Sequence, residues 1–141
     1  MLNKCQQVID LIQWIEINLD DQINMDDVIK KSGYSRWHIQ RIFLEVAGIS
    51  IADYLRLRRL TKAAIDICKT SEPLLSIALK YNFSSQQSFT RAFKIQFNET
   101  PGSYRKAKKI QGHGIFMGHP DLLGEIKDDN FYEKIKFVNI E

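Results

Sequence analysis

Trp37, Gln40 and Arg41 stand together in the stretch SRWHIQRIF, residues 35–43. Fifty positions later SQQSFTRAF, residues 85–93, sets Gln87, Thr90 and Arg91 at the matching places. These residue types share one kind of chemistry. An arginine guanidinium can bond guanine O6 and N7 together, a glutamine amide can bond adenine N6 and N7, and an apolar ring can lie on a thymine methyl. Each good two-point pair discriminates against the wrong base by about 1–3 kcal/mol. An outward tryptophan beside Gln and Arg is unusual on a merely solvated face, because its large apolar area gains from a partner.

Helical spacing decides which way these groups point. At about 100° per residue with Trp37 at zero, Ile39, Ile42, Phe43 and Val46 fall between roughly 140° and 240°. Trp37, Gln40, Arg41 and Leu44 fall within about 60° of zero, on the opposite side. In the second stretch Phe89, Ala92 and Phe93 take the inward face, and Gln87, Thr90, Arg91 and Lys94 the outward one.

The match extends well beyond the two nonamers. At an offset of 50, Ser35 pairs with Ser85, Arg41 with Arg91, Phe43 with Phe93 and Tyr54 with Tyr104. Gly48 pairs with Asn98, both tolerant of left-handed backbone, and Ser50 with Thr100, both suited to capping. Upstream the offset becomes 49, pairing Val28 with Ile77 and Lys31 with Lys80. One extra residue in an inter-helix turn accounts for the change. A repeat that accepts an insertion only in a turn is what duplicated helix–turn–helix units show.

Periodicity and caps predict an all-α fold of seven helices: two helix–turn–helix subdomains joined by a long linker helix, with an irregular C-terminal tail. A first amphipathic helix covers 4–18 and a short one 25–31, capped by Asn24. Gly33 breaks the chain and Ser35 caps a helix over 36–47, which Gly48 stops. The linker helix covers 51–69, and Pro73 opens a helix at 73–80. A turn through 82–85 leads to a sixth helix at 86–97, and Pro101 opens a seventh. In domain terms, residues 1–110 form one module, with helix–turn–helix units at about 25–47 and 73–97. Residues 111–141 hold four of the seven glycines and read as a tail packed on that module, or the start of something further; KIKFVNIE could be a strand.

Charge singles out the same region. Residues 1–29 carry one Lys and six acids, residues 30–110 sixteen Lys/Arg and five acids, and residues 111–141 three Lys and six acids. The net charge of +3 thus hides a strongly basic centre that suits a polyanion such as DNA. No apolar run approaches the 18 or so residues of a membrane span, and no secretory segment follows Met1, so a cytoplasmic protein is expected. Cys5 and Cys68 read as small buried hydrophobes. His113 and His119, six apart, are too weak a spacing to support a metal site, and no cofactor is expected.

Paired helix–turn–helix units usually belong to a dimer and read half-sites roughly 34 Å apart. Here one chain holds both, and a linker helix of about 19 residues would span about 28 Å. A monomer with recognition helices in adjacent major-groove segments is therefore expected, bending the duplex where the units sit closer than the groove repeat. Trp37 and Arg41 offer strong readout, so the first unit should fix the site and the second be more forgiving.

WIEINLD, SGYSRWHIQRIF, YLRLRRLTKAA, ALKYNFSSQQSFTRAFK and TPGSYR together resemble the AraC/XylS family of bacterial transcription regulators, most closely its small MarA/SoxS/Rob-type activators. The resemblance covers residues 8–106. It implies base-facing roles for Trp37, Gln40 and Arg41 in the first unit and for Gln86, Gln87, Thr90 and Arg91 in the second. It implies phosphate contacts at Arg36, Arg56, Lys94 and Tyr104, which position a protein without reading sequence. Leu44 stands where this group usually has a basic residue. The implied function is activation of stress and antibiotic-resistance genes by a monomer that binds promoter DNA, contacts RNA polymerase, works at the nucleoid and takes no small-molecule effector.

Three other readings stay within reach of the sequence. Repression differs from activation only in promoter position. Some relatives join this domain to a methyl-accepting cysteine of DNA-repair type, but neither Cys5 nor Cys68 has neighbours in sequence that would make a reactive thiolate. No enzyme is expected. A helical module binding an acidic protein would also use the basic surface, but gains nothing from the outward Trp, Gln and Arg.

Overall fold

The structure is a computed structural model that describes residues 3–107 and 114–118. Seven α-helices occur among them and no strand: α1 Lys4–Asn18, α2 Met25–Ser32, α3 Arg36–Ala47, α4 Ile51–Lys69, α5 Leu74–Lys80, α6 Gln86–Phe97 and α7 Pro101–Ala107. The all-α reading holds, with helix ends within a residue of those the caps imply. A single 3₁₀ turn, Leu19–Asp21, follows α1 and was not legible beforehand. It ends at Gln22 in left-handed backbone. The terminal KIKFVNIE strand, His113 and His119 lie outside the described residues.

The chain divides into two compact units, Met1–Arg56 and Leu57–Met117, with α4 contributing to both. In the first, α1 turns Val8, Leu11, Ile12 and Ile15 inward against Val28 of α2 and Ile39, Ile42 and Phe43 of α3. In the second, Leu60, Ala63, Ala64 and Ile67 of α4 share a core with Ile77, Phe89, Phe93, Phe97 and Tyr104.

The repeat is visible as matched local geometry. Ser35 Oγ accepts from His38 N at 3.2 Å, and Ser85 Oγ accepts from Ser88 N at 3.0 Å. Ser50 and Thr100 likewise cap their helices, accepting from Asp53 N and Ser103 N. Gly48 at φ 73° and Asn98 at φ 64° end α3 and α6, their N–H groups donating to Leu44 O and Lys94 O. Gly33 at φ 76° and Asn82 at φ 68° make the preceding turns. Two residues lead from Gly33 to the cap Ser35, and three from Asn82 to the cap Ser85. The extra residue therefore sits in the turn, between the left-handed position and the helix cap.

The same register places one aromatic pair in each unit. Phe43 meets Tyr54 edge-on with centroids 5.8 Å apart, and Phe93 meets Tyr104 edge-on at 5.4 Å. Tyr104 is consequently 1% exposed, its ring also against Phe97. This corrects the expected phosphate contact. A ring so enclosed fills the core and leaves almost no surface for a partner. Cys5 is a second correction: it is exposed on the first turn of α1, while Cys68, also expected to be buried, is partly buried against the core of the second unit.

Gly48 has open space around it, so a side chain there pays only for its backbone conformation. Gly48→Val is expected to cost about 1–2 kcal/mol, because a β-branched residue resists positive φ. Asn98→Gly should leave stability unchanged or slightly raised. Urea unfolding of both variants checks this; a harmless valine at 48 would contradict the left-handed stop.

Candidate nucleic-acid interface

Burial of one face decides what the other offers. On α3, Ile39, Ile42 and Phe43 are buried, while Trp37, Gln40, Arg41 and Leu44 are exposed, Trp37 at 70%. The Arg41 guanidinium lies over the Trp37 ring, 5.1 Å from its centroid. Arg41 Nη1 also donates to Glu45 Oε1 at 3.4 Å, and Glu45 Oε2 accepts from Lys4 Nζ at 3.1 Å. The guanidinium is thus held between a ring and a carboxylate. Exposed ion pairs of this kind contribute about 0–1 kcal/mol, less than the roughly 1–3 kcal/mol of a two-point base contact. A guanine edge can therefore draw Arg41 away from Glu45.

On α6 the inward residues Phe89, Phe93, Gln96 and Phe97 are buried. Gln86, Gln87, Arg91 and Lys94 are exposed, and Thr90 is half-buried among them. The two helices present their sets separately, one in each unit.

The remaining cations divide by unit. Arg36 pairs with Asp26 across the α2–α3 turn, and Arg56 Nη1 donates to Asp53 Oδ1 at 2.7 Å. With Arg41 on Glu45, each expected DNA-contacting cation of the first unit has a carboxylate beside it. Arg91 and Lys94 have no ion pair among the described residues. Sequence reasoning missed these carboxylates. Glu45 and Asp53 were findable from i,i+4 and i,i+3 spacing on their helices. Asp26 lies ten residues from Arg36 and needed the turn geometry.

No group of three His, Cys, Asp or Glu among the described residues can hold a metal ion. No helix among them is long and apolar enough to cross a membrane. An open cleft of about 290 Å³ lined by Gln7, Asp10, Lys31 and Tyr34 shares no residue with either reading face.

A family described as helix-turn-helix domain matches residues 28–107. The chain is similar to the transcriptional regulator Rob of Salmonella typhimurium, 49% identical over 117 residues, covering 82% of this chain and 39% of that protein. It is similar to the regulatory protein SoxS of Escherichia coli, 46% identical over 96 residues, covering 68% of this chain and 90% of that one. The chain therefore spans about two fifths of its Rob relative and nearly all of its SoxS relative. Among solved structures, a transcriptional regulator with an AraC-type DNA-binding domain from Chromobacterium violaceum superposes with a TM-score of 0.66 at 26% identity, covering 73% of this chain and 92% of that one.

The cysteines can be judged from their surroundings. Burial pushes the Cys68 thiol up, Arg105 nearby draws it down, and Glu99 raises it again, for a net rise. Less thiolate is then present near neutrality, the opposite of what a nucleophile needs. Under native conditions at pH 7, iodoacetamide is expected to label exposed Cys5 well before Cys68, and denaturant should abolish the difference. Faster labelling at Cys68 would restore a reactive-thiol reading.

Proposed function

We propose that this chain, which belongs to the AraC-type helix-turn-helix family, binds promoter DNA sequence-specifically as a transcription regulator. One observation carries the reading: Trp37, Gln40 and Arg41 are exposed together on a helix whose opposite face is buried. Nothing in packing requires that set. Its chemistry is that of base edges, and α6 repeats the arrangement with Gln87, Thr90 and Arg91. Residues 1–110 act as the DNA-binding module. Each unit enters a major-groove segment of one duplex, so that a monomer fills two half-sites.

Arg36, Arg56 and Lys94 serve the phosphates, where they fix position and not sequence. Gln86 opens α6 with an exposed amide and joins its reading set. The protein works by binding and not by catalysis. Its relatives SoxS and Rob are named as regulators, and the family resemblance points to activation of stress and antibiotic-resistance promoters, with RNA polymerase as the protein partner and no small-molecule effector. A bacterial cytoplasm holds every partner this role needs.

Arg41→Ala is expected to lose about 1–3 kcal/mol on a matched duplex and little on a scrambled one, because on unmatched DNA the guanidinium can stay with Glu45. Lys94→Ala should weaken both duplexes alike and flatten the salt dependence by about one unit of slope. Titrations at several salt concentrations separate the two. Equal losses for Arg41→Ala on matched and scrambled DNA would contradict direct readout.

A further inference from the structure

Gln96 is a buried amide on the inward face of a helix otherwise lined by phenylalanine, and burying such a group unbonded is costly. Its nitrogen has partners, while Oε1 is buried without a hydrogen bond among the described residues. Gln96 Nε2 donates to Gly114 O at 2.8 Å and Leu57 O at 3.2 Å, and lies 3.5 Å from Thr61 Oγ1. Thr61 Oγ1 in turn accepts from Phe116 N at 2.9 Å, and Arg58 Nη1 donates to Phe116 O at 2.6 Å. Residues 114–117 therefore form a strap in the second unit, bonded to α4 and to α6, with Ile115, Phe116 and Met117 buried. Gly114 has φ 83°, and a Cβ there would meet Gln96 O at 2.6 Å and the Phe97 ring at 2.7 Å. Only glycine lets the strap come so close to the end of α6.

We propose that the strap, gripped by Gln96 and Thr61, fixes the placement of α6 and so sets how sharply the second unit discriminates bases. Gln96, Thr61 and Gly114 are positioning residues in this account: none reaches the outward face, and each acts through Arg91 and its neighbours. Base readout tolerates displacements of only about 0.5 Å and 10–20°. The grip lies about one and a half turns along α6 from Arg91, near enough for a loosened end to tilt the reading face. This inference rests on the DNA-binding reading above.

The test uses the full chain and the duplex it selects, with base changes placed in either half; the second half is the one whose preference Arg91→Ala relaxes. Thr61→Val keeps the volume and removes the hydroxyl, and Thr61→Ser keeps the hydroxyl. Thr61→Val and Gly114→Ala should each lower discrimination in the second half about three- to tenfold, a fraction of what a good base contact gives. First-half discrimination and the salt slope should not change, and Thr61→Ser should behave as the parent. Circular dichroism at the binding temperature confirms that each variant is folded, and Thr61→Val carries the test if Gly114→Ala is not. Full second-half discrimination in folded Thr61→Val, or equal loss in both halves, overturns the clamp alone. A parent chain that discriminates in neither half overturns the clamp and the regulator reading together.

Discussion

Phe43 and Phe93 hold α3 and α6, each fully buried at the same register and each set edge-on against a tyrosine eleven residues later. A helix anchored so firmly on one side has no freedom over what it shows on the other. Removing such a ring would cost about 3–5 kcal/mol, a large fraction of a small domain's stability. The left-handed residues Gly48 and Asn98 stop each helix a few residues after its anchor, and Ser35 and Ser85 start each one eight residues before it. Start, anchor and stop together define a short rod with one free face. In both copies that face carries the side chains proposed to read bases.

The two free faces differ in electrostatic state. In the first unit Asp26, Glu45 and Asp53 sit beside Arg36, Arg41 and Arg56. In the second, Arg91 and Lys94 stand without such partners among the described residues. Under the proposed function, engagement of the first unit is an exchange of ligands around each guanidinium, favourable where the new partner is a well-placed base edge or phosphate. That exchange taxes indiscriminate contact and rewards a match. The second unit offers Arg91 and Lys94 without an ion pair among the described residues, which suits the more forgiving role its smaller polar groups suggest.

Much of this fold was legible because its signals are local. Caps, left-handed stops and 3.6-residue periodicity act within one or two turns, and duplication stated them twice, so α1, α3, α4 and α6 have the bounds the sequence implies. Long-range packing was less legible. Tyr104 was assigned to a phosphate by family resemblance, although its match with Tyr54 already hinted at a shared core position. The pairing of Lys4 with Glu45 spans 41 residues and leaves no trace in spacing. The strap was hidden for a related reason. Residues 114–117 obey no helical or strand period, and Gly114 O, Phe116 N and Phe116 O are bonded by side chains of α4 and α6.

The central claim is that both units read bases, and selection of bound duplexes from a random pool addresses it most directly. Two defined half-sites about one helical turn, roughly 34 Å, apart are the predicted result. A single defined half-site flanked by random sequence would contradict it, leaving α6 a clamp on the DNA backbone and nothing more.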